Sequence, residues 1–272
     1  VRLFFQYALT LGLFITFTVG LAGLLGRLLG ASQDVVTDQS SLASNLAFVV
    51  VGGPLLAWLL LWLKRSIARN PLEAEGFIPT FFATLAAIIS LLVFMSSTIA
   101  VSYNLIDGAS SLGYTSARTI VWGSALIMVL RVSNAVIPKN DFRIQYFVGS
   151  LITAIAAIVG LIQVLANLLS AILSQPMFLG AQSPALISSR NNSFDGFATL
   201  VIAGALWFYY WIKNANAKTN DKTWLLYVLV AGVGGSLVLA LTSLTVTIYQ
   251  ALVWFIGDPA SQVISEHFAG IP

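Results

Sequence analysis

Seven long runs of apolar residues, separated by short polar segments, make up almost the whole chain. They lie near residues 3–30, 44–63, 77–105, 118–137, 143–173, 196–212 and 224–256. A helix needs about 20 residues to cross the hydrocarbon core of a bilayer, and each run reaches or approaches that length. The runs are continuously apolar rather than alternating with polar residues, which argues against strands. The pattern therefore predicts an all-α integral membrane protein with seven transmembrane helices.

Part of the apolar pattern in the first half of the chain recurs in the second half. Shifting the fifth run back by 140 positions places Val159-Gly160-Leu161 on Val19-Gly20-Leu21, and three later leucines also coincide. A second echo pairs Trp58, Trp62 and Lys64 with Trp207, Trp211 and Lys213. Self-similarity of this kind is typical of tandem helical repeats. The predicted organisation is a first three-helix membrane repeat over 1–110, a connector helix over 111–141, a second three-helix repeat over 142–258 and an outer tail over 259–272.

Composition leads to the same class. Apolar residues are 58% of the chain and charged residues only 8%, against roughly 25% charged in a soluble domain. A soluble protein of this size would expose a continuous apolar surface, whereas lipid removes that problem. The absence of cysteine excludes disulfides, thiolate metal sites and thiol catalysis. The first run is also too long for the core of a cleavable signal peptide, so none is expected.

The basic residues give an orientation. Ten of the 13 lysines and arginines fall on one side of the predicted membrane and three on the other. The ten are Arg2, Lys64, Arg65, Arg69, Arg131, Lys139, Arg143, Lys213, Lys218 and Lys222, and the three are Arg27, Arg118 and Arg190. Because an excess of Lys and Arg marks the cytoplasmic face, the N-terminus is predicted inside and the C-terminus outside, in a bacterial inner membrane. Trp62, Trp211 and Trp224, beside the inner lysines, are predicted interfacial anchors.

The outer connections are predicted to be irregular. Segments 31–44 and 174–195 are rich in Ser, Asn, Gln, Gly and Pro. The second contains Gln175-Pro176 and Ser183-Pro184, and the residue before a proline disfavours continuation of a helix.

Little chemistry is available inside the predicted spans. No ionisable residue lies near the middle of any run, which argues against proton pumps and ion-coupled carriers. One histidine, His267, cannot build the usual zinc site, and the last run contains no lysine for a retinal Schiff base. We therefore expect no enzyme activity, no cofactor and no metal, with bound lipid and other membrane subunits as partners and no nucleic acid.

Polar residues within the runs form one candidate cluster. Gln163 and Asn167 are four residues apart and share a helix face, and Asn167 repeats the position of Arg27. The pairs Tyr103-Asn104 and Tyr249-Gln250 lie near the outer ends of the third and seventh runs. These residues either line a polar pocket between the repeats or make interhelical hydrogen bonds of about 0.6–2 kcal/mol each, and the second interpretation is favoured.

Glycines mark candidate sites of close helix packing. Gly20, Gly23, Gly26 and Gly30 lie along the first run, and Gly232 and Gly235 lie in the last. Small residues let helix backbones approach closely in membranes.

The repeat unit resembles a bacterial family of multi-pass membrane proteins of unknown function. Members carry repeats that open with an arginine-aromatic pattern and a Gly-Leu-rich helix, followed by a shorter helix ending in Trp and a basic residue. Arg143-Ile144-Gln145-Tyr146 through Gln163 looks like the opening helix, and Gly53-Pro54 through Lys64 looks like the closing one. A histidine often precedes the family's tryptophan, whereas Leu61 and Tyr210 stand there in this chain. The resemblance implies an architecture and no activity.

Two functions from different classes follow from these features. The first is a non-catalytic structural or accessory subunit of a larger bacterial membrane complex of the respiratory or photosynthetic type. The second is a carrier or channel for a neutral or lipidic small molecule, built across the repeats. A water-accessible cavity lined by Gln163, Asn167, Tyr103 and Tyr249 would favour the second function, and apolar flanks covered by other chains or by lipid and pigment would favour the first.

Overall fold

The computed structural model describes residues 2–30, 39–69, 76–107, 111–136, 144–173, 185–215, 225 and 228–256. Of these residues 98% are helical, and none is in a strand. The helices are α1 (Arg2–Leu29), α2 (Gln39–Arg69), α3 (Phe77–Asp107), α4 (Leu112–Val136), α5 (Ile144–Leu173), α6 (Ala185–Trp207) and α7 (Gly235–Ile256). A π-helical segment, Phe208–Ala215, continues α6, and another, Val228–Gly234, precedes α7. The predicted all-α class is confirmed for these residues.

Six segments of the described chain are long and apolar enough to cross a membrane. They are Leu3–Leu29, Ser40–Arg69, Phe77–Leu105, Gln145–Leu168, Phe194–Lys213 and Gly232–Ile256. They belong to every helix except α4, which carries Arg118 and Arg131. Length and apolarity therefore indicate a multi-pass membrane protein, with α4 the most polar of the seven predicted spans.

Two helices begin earlier than the polar composition of the outer segments suggested. α2 starts at Gln39 and α6 at Ala185, so the parts of segments 31–44 and 174–195 that the structure describes are helical rather than irregular. The start of α6 falls directly after Pro184, and proline is compatible with a helix beginning but not with its interior. Residues 257–272, which include the predicted tail, and Trp224 lie outside the described residues.

The chain divides into two compact units, Val1–Val148 and Gly149–Pro272. The first unit holds α1 to α4 and the first residues of α5. Within it α1 packs against α2, α3 and α4, and α3 packs against α4. Most of the buried apolar side chains described lie in this unit, with Leu91, Ala117 and Trp122 each at most 3% exposed. The first unit is therefore a four-helix bundle with its own core.

Close packing in the first unit depends on the glycines of α1. A Cβ on Gly20 would lie 2.7 Å from the Cβ of Phe48 in α2, and one on Gly23 would overlap the side chain of Asn45. A Cβ on Gly26 would lie 2.7 Å from the ring of Tyr114 in α4. The predicted role of these three glycines in close helix approach is confirmed.

The second unit contains a glycine contact between α5 and α6. A Cβ on Gly160 would lie 2.5 Å from the backbone nitrogen of Leu200, and one on Gly196 would lie 2.8 Å from the Cβ of Gln163. Helix backbones that approach this closely leave room for no side chain between them. Gly232, by contrast, meets only Val228 of its own segment, so no close contact supports the role predicted for it.

Candidate functional site

The first unit contains an apolar cavity of about 540 Å³. Volumes of roughly 300–1,000 Å³ are typical of sites that bury one small molecule. Each of the four helices contributes one face to the wall. The lining residues are Tyr7, Thr10, Leu11 and Phe14 of α1; Leu56, Leu60, Leu61, Leu63, Lys64 and Ile67 of α2; Pro79, Phe82, Ala83 and Ala86 of α3; and Met128, Val129, Val132 and Ser133 of α4.

The spacing of these residues explains why they meet. Tyr7, Thr10, Leu11 and Phe14 recur at intervals of three and four, as do the lining residues of α3, so each set occupies one helical stripe. The α3 stripe carries Ala83 and Ala86. Alanine is smaller than the leucines that line the cavity from α2, so these two positions add little side-chain volume to it.

Aromatic rings brace the wall. The rings of Tyr7 and Phe82 stack at a centroid distance of 6.1 Å, and Phe14 meets Trp122 edge-on at 6.5 Å. Tyr7 and Phe82 are buried, at 9% and 7% exposure. Paired rings of this kind contribute roughly 0.5–1.5 kcal/mol beyond their burial. They hold the α1 and α3 walls in place without filling the space between them.

The polar groups of the cavity lie toward one end. Lining residues come from the first half of α1, the second half of α2, the start of α3 and the end of α4. In successive antiparallel helices these parts lie at the same end of the bundle, which is the end that carries Lys64, Arg65 and Arg69. Lys64 and Ser133 lie at that end, whereas the far end is lined by apolar side chains such as Phe14, Leu56 and Met128.

A hydrogen-bonded group stands directly behind the polar end. Ser133 Oγ donates to Gln145 Oε1 at 3.0 Å, and Asn134 and the hydroxyl of Tyr146 are bonded at 3.0 Å. Ser133, Gln145 and Tyr146 are buried, at 4%, 3% and 2% exposure. The Nε2 of Gln145 has no hydrogen-bond partner within the part of the chain that the structure describes. A buried amide donor in that state costs about 1–3 kcal/mol.

The residues of the candidate polar cluster are distributed over both units. In the first unit Arg27 donates a hydrogen bond to Ser41 Oγ, linking α1 to α2. Asn104 Nδ2 donates to Thr115 Oγ1 at 3.1 Å, linking α3 to α4, and Asn104 is only 7% exposed. Tyr103 is 44% exposed. These two polar bonds between helices are the kind of contact that the favoured interpretation describes.

The other four members of the cluster belong to the second unit. Gln163 is exposed beside the glycine contact of Gly196, and Asn167 is half-buried. Tyr249 is 62% exposed on α7, and Gln250 is half-buried. A pocket shared by Arg27, Tyr103 and Asn104 with these residues stays a prediction. Of the predicted anchors, Trp62 and Trp211 are each half-buried.

Sequence reasoning missed the cavity. The sequence pattern assigns Lys64 to the inner face and to the repeat and closing-helix motifs, and Gln145 and Tyr146 to the opening helix, but it assigns none of them to a cavity. α1 also carries Gln6, Thr16, Phe17 and Thr18, so its pattern of polar and aromatic residues does not single out Tyr7, Thr10 and Phe14. Nothing in the sequence shows that these lining residues meet, because that depends on packing between helices remote in the chain.

Residues 3–132 match the model of a protein family described as a domain of unknown function, DUF5671. The matched segment covers a little under half of the chain and runs from α1 to near the end of α4. It contains all the cavity-lining residues except Ser133. Comparisons with curated proteins and with solved structures found no match. The expected likeness to a family of unknown function is thereby supported, while the repeats and the bacterial origin stay predictions.

Proposed function

We propose that this chain is a membrane carrier that binds one lipidic small molecule in the cavity of its four-helix unit. The observation that supports the proposal is the cavity itself, which is walled almost wholly by apolar side chains of α1 to α4. Its wall includes exposed residues of two helices, Leu61 at 58% and Val132 at 50%. An apolar molecule could thus enter from the surface of the unit without crossing a polar barrier.

Leu61 provides a substitution that the chain itself suggests. In the repeat alignment Leu61 corresponds to Tyr210, since each residue precedes a matched tryptophan. Tyr210 is 1% exposed and its ring packs where a Cβ of Gly149 would lie, 2.5 Å away. At the matching sequence position the second unit thus has a buried tyrosine ring, whereas Leu61 of the first unit is 58% exposed and lines the cavity. Leu61→Tyr adds a ring to the cavity wall and should reduce the space for a ligand.

The test uses a photoactivatable alkyl probe with the purified protein in detergent. We expect labelling to concentrate on lining residues such as Phe14 and Met128, and Leu61→Tyr to lower that labelling about tenfold. Ala57→Leu, an exposed position of α2 outside the cavity, is the matched control and should label as the parent does. In liposomes the parent should move a fluorescent single-chain amphiphile between leaflets faster than Leu61→Tyr. Labelling spread evenly over the apolar surface would contradict binding, and equal rates of movement would contradict carriage.

The proposal includes the finer architecture. Seven spanning helices, a cytoplasmic N-terminus, an outer C-terminus and a bacterial inner membrane are supported by the ten-to-three distribution of basic residues. The tandem repeat is supported by the glycine contacts: Gly20 and Gly160, which are equivalent in the sequence alignment, each lie at a close approach to the next helix. Superposing α1–α3 on α5–α7 in an experimental structure tests the repeat, and a fit of α5 onto any helix other than α1 would contradict it.

A non-catalytic accessory subunit of a larger membrane complex is the second candidate function. The observation that favours it is α7, which is strongly apolar and has no buried residue among those described. Such a helix is covered by lipid or by other chains. Purification in mild detergent should then retain other membrane subunits in fixed stoichiometry, and truncation after residue 223 should release them. A parent chain that stays monomeric and moves lipid would contradict this candidate.

A further inference from the structure

We infer that the ligand of the cavity is an anionic amphiphile whose acidic group lies at the Lys64 end. This inference rests on the proposed function and adds the chemical class and orientation of the molecule. A single alkyl chain that ends in a carboxylate is the simplest molecule of that class. The argument draws on the size of the cavity, the polarity of its wall and the donors at one end.

The size of the cavity sets the apolar part of the ligand. Along α2 the wall extends from Leu56 to Ile67, a rise of roughly 16 Å at about 1.5 Å per residue. This length and the volume of about 540 Å³ suit one alkyl chain rather than a whole two-chain lipid. The apolar end, lined by Phe14, Leu56 and Ala86, receives the far end of the chain.

The polar end carries the exposed ammonium group of Lys64, for which an anion is the natural partner, and the hydroxyl of Ser133, which can donate or accept. Lys64 lines the cavity, and its ammonium group carries three donors and no acceptor. No hydrogen bond or ion pair of Lys64 is found within the part of the chain that the structure describes. Bonds from an ammonium group to a carboxylate are shorter and about twice as strong as neutral ones. An alkyl chain held in the cavity would thus place an acidic head group within reach of a matching charge.

Ser133 and Gln145 complete the polar end. Ser133 lines the cavity and its hydroxyl donates to Gln145 Oε1. The side chain of Gln145 is only 3% exposed, and its Nε2 donor has no hydrogen-bond partner among the described residues. The pair can re-orient, so that Nε2 donates to Ser133 Oγ and the hydroxyl turns to a ligand oxygen. That exchange gives the amide Nε2 a partner and frees the Ser133 hydroxyl to donate to the head group, while Oε1 gives up its bond from Ser133. Gln145 thus acts as a positioning residue.

The experiment compares three single-chain ligands of equal length with a carboxylate, an alcohol or an amine head. Binding is measured with the full chain in detergent, and each ligand competes with the alkyl photoprobe. We expect the carboxylate to bind about tenfold more tightly than the alcohol, and the amine to bind weakest. Lys64→Gln should remove most of the preference for the carboxylate while leaving binding of the alcohol unchanged. The matched controls are Arg65→Gln and Lys213→Gln, which each remove one basic side chain outside the cavity wall. Both variants should retain the preference for the carboxylate.

The outcomes separate this inference from the function on which it rests. Equal binding of the carboxylate and the alcohol, with both abolished by Leu61→Tyr, would overturn the inference and leave the carrier proposal intact. Failure of all three ligands to compete would overturn both. Gln145→Leu should lower the affinity for the carboxylate more than that for the alcohol, whereas a purely structural role would lower both equally. Lys64→Arg, which retains the charge, should retain the preference.

Discussion

Single glycines decide how closely the helices of this protein approach one another. Gly20, Gly23 and Gly26 face side chains of α2 or α4 at distances that no Cβ would tolerate, and Gly160 faces the backbone of α6. In a membrane the hydrophobic effect does not drive helices together, so van der Waals contact between close backbones carries more of the stability. The neighbour of Gly160 is a backbone atom, which cannot rotate away as the end of a side chain can.

Gly160→Ala should therefore destabilise the second unit by about 1–3 kcal/mol, because the added methyl forces α5 and α6 apart. Gly204→Ala is the matched control on α6, since nothing lies within 4 Å of the position of its Cβ. There the substitution should be neutral or stabilise the helix by up to about 1 kcal/mol. Thermal unfolding of both variants in detergent measures the difference. A loss of stability in Gly204→Ala as large as in Gly160→Ala would contradict the account of the contact.

Among the helices, α4 is the one whose crossing of the membrane is least clear from its composition. Arg118 and Arg131 are 13 residues apart, which is roughly 20 Å along a helix, whereas the hydrocarbon core is about 30 Å thick. The two arginines would have to extend their side chains toward opposite head-group layers. Between them α4 buries Val121, Trp122, Ala125 and Leu126 against its unit. The apolar residues of α4 are thus used for packing as well as for contact with lipid.

Whether α4 spans determines the side on which the chain ends. With seven spans, cysteines introduced at Ser66 and Ser261 should react with a membrane-impermeant reagent from opposite sides, because five crossings, an odd number, separate the two positions. The chain has no cysteine of its own, so the parent is an unreactive control. Reaction of both positions from the same side would show an even number of crossings between them and would contradict the seven-span topology.

At the scale of the whole molecule the two units differ in how much they bury. The first has a core of apolar side chains from four helices, whereas α7 of the second has no buried residue among those described. The boundary at Val148 leaves the first turn of α5 with the first unit. There Gln145 and Tyr146 bond to Ser133 and Asn134 of α4, so the end of the four-helix unit is closed by residues of the following helix.

We expect a fragment of residues 1–148 to insert and fold by itself in detergent or lipid, because its helices pack on one another. It should show a cooperative thermal transition and resist limited proteolysis. The complementary fragment, 149–272, should be cleaved faster, since fewer of its described side chains are buried. Rapid cleavage of the first fragment, or equal resistance of the two, would show that the units depend on each other.

The sequence by itself determined the features that depend on local composition. Continuous apolar runs require helices in a membrane because every backbone polar group must be bonded within its own segment. The packing role of the α1 glycines was also predictable from the sequence, since small residues within an apolar membrane helix serve mainly to let helices pack closely. The start of α6 could not be predicted from the sequence, because Ser and Asn occur both in loops and in helices.

Only the tertiary structure decided which of these faces meet and what space they leave. Tyr7, Lys64, Ala83 and Ser133 are far apart in the chain and unremarkable one by one. They form a cavity because four helices bring together the stripes that carry them. The hydrogen bond from Ser133 to Gln145 likewise crosses from α4 to α5. Local pattern fixes which residues are helical and apolar, but a void depends on the summed volumes of side chains from separate elements, which local pattern does not contain.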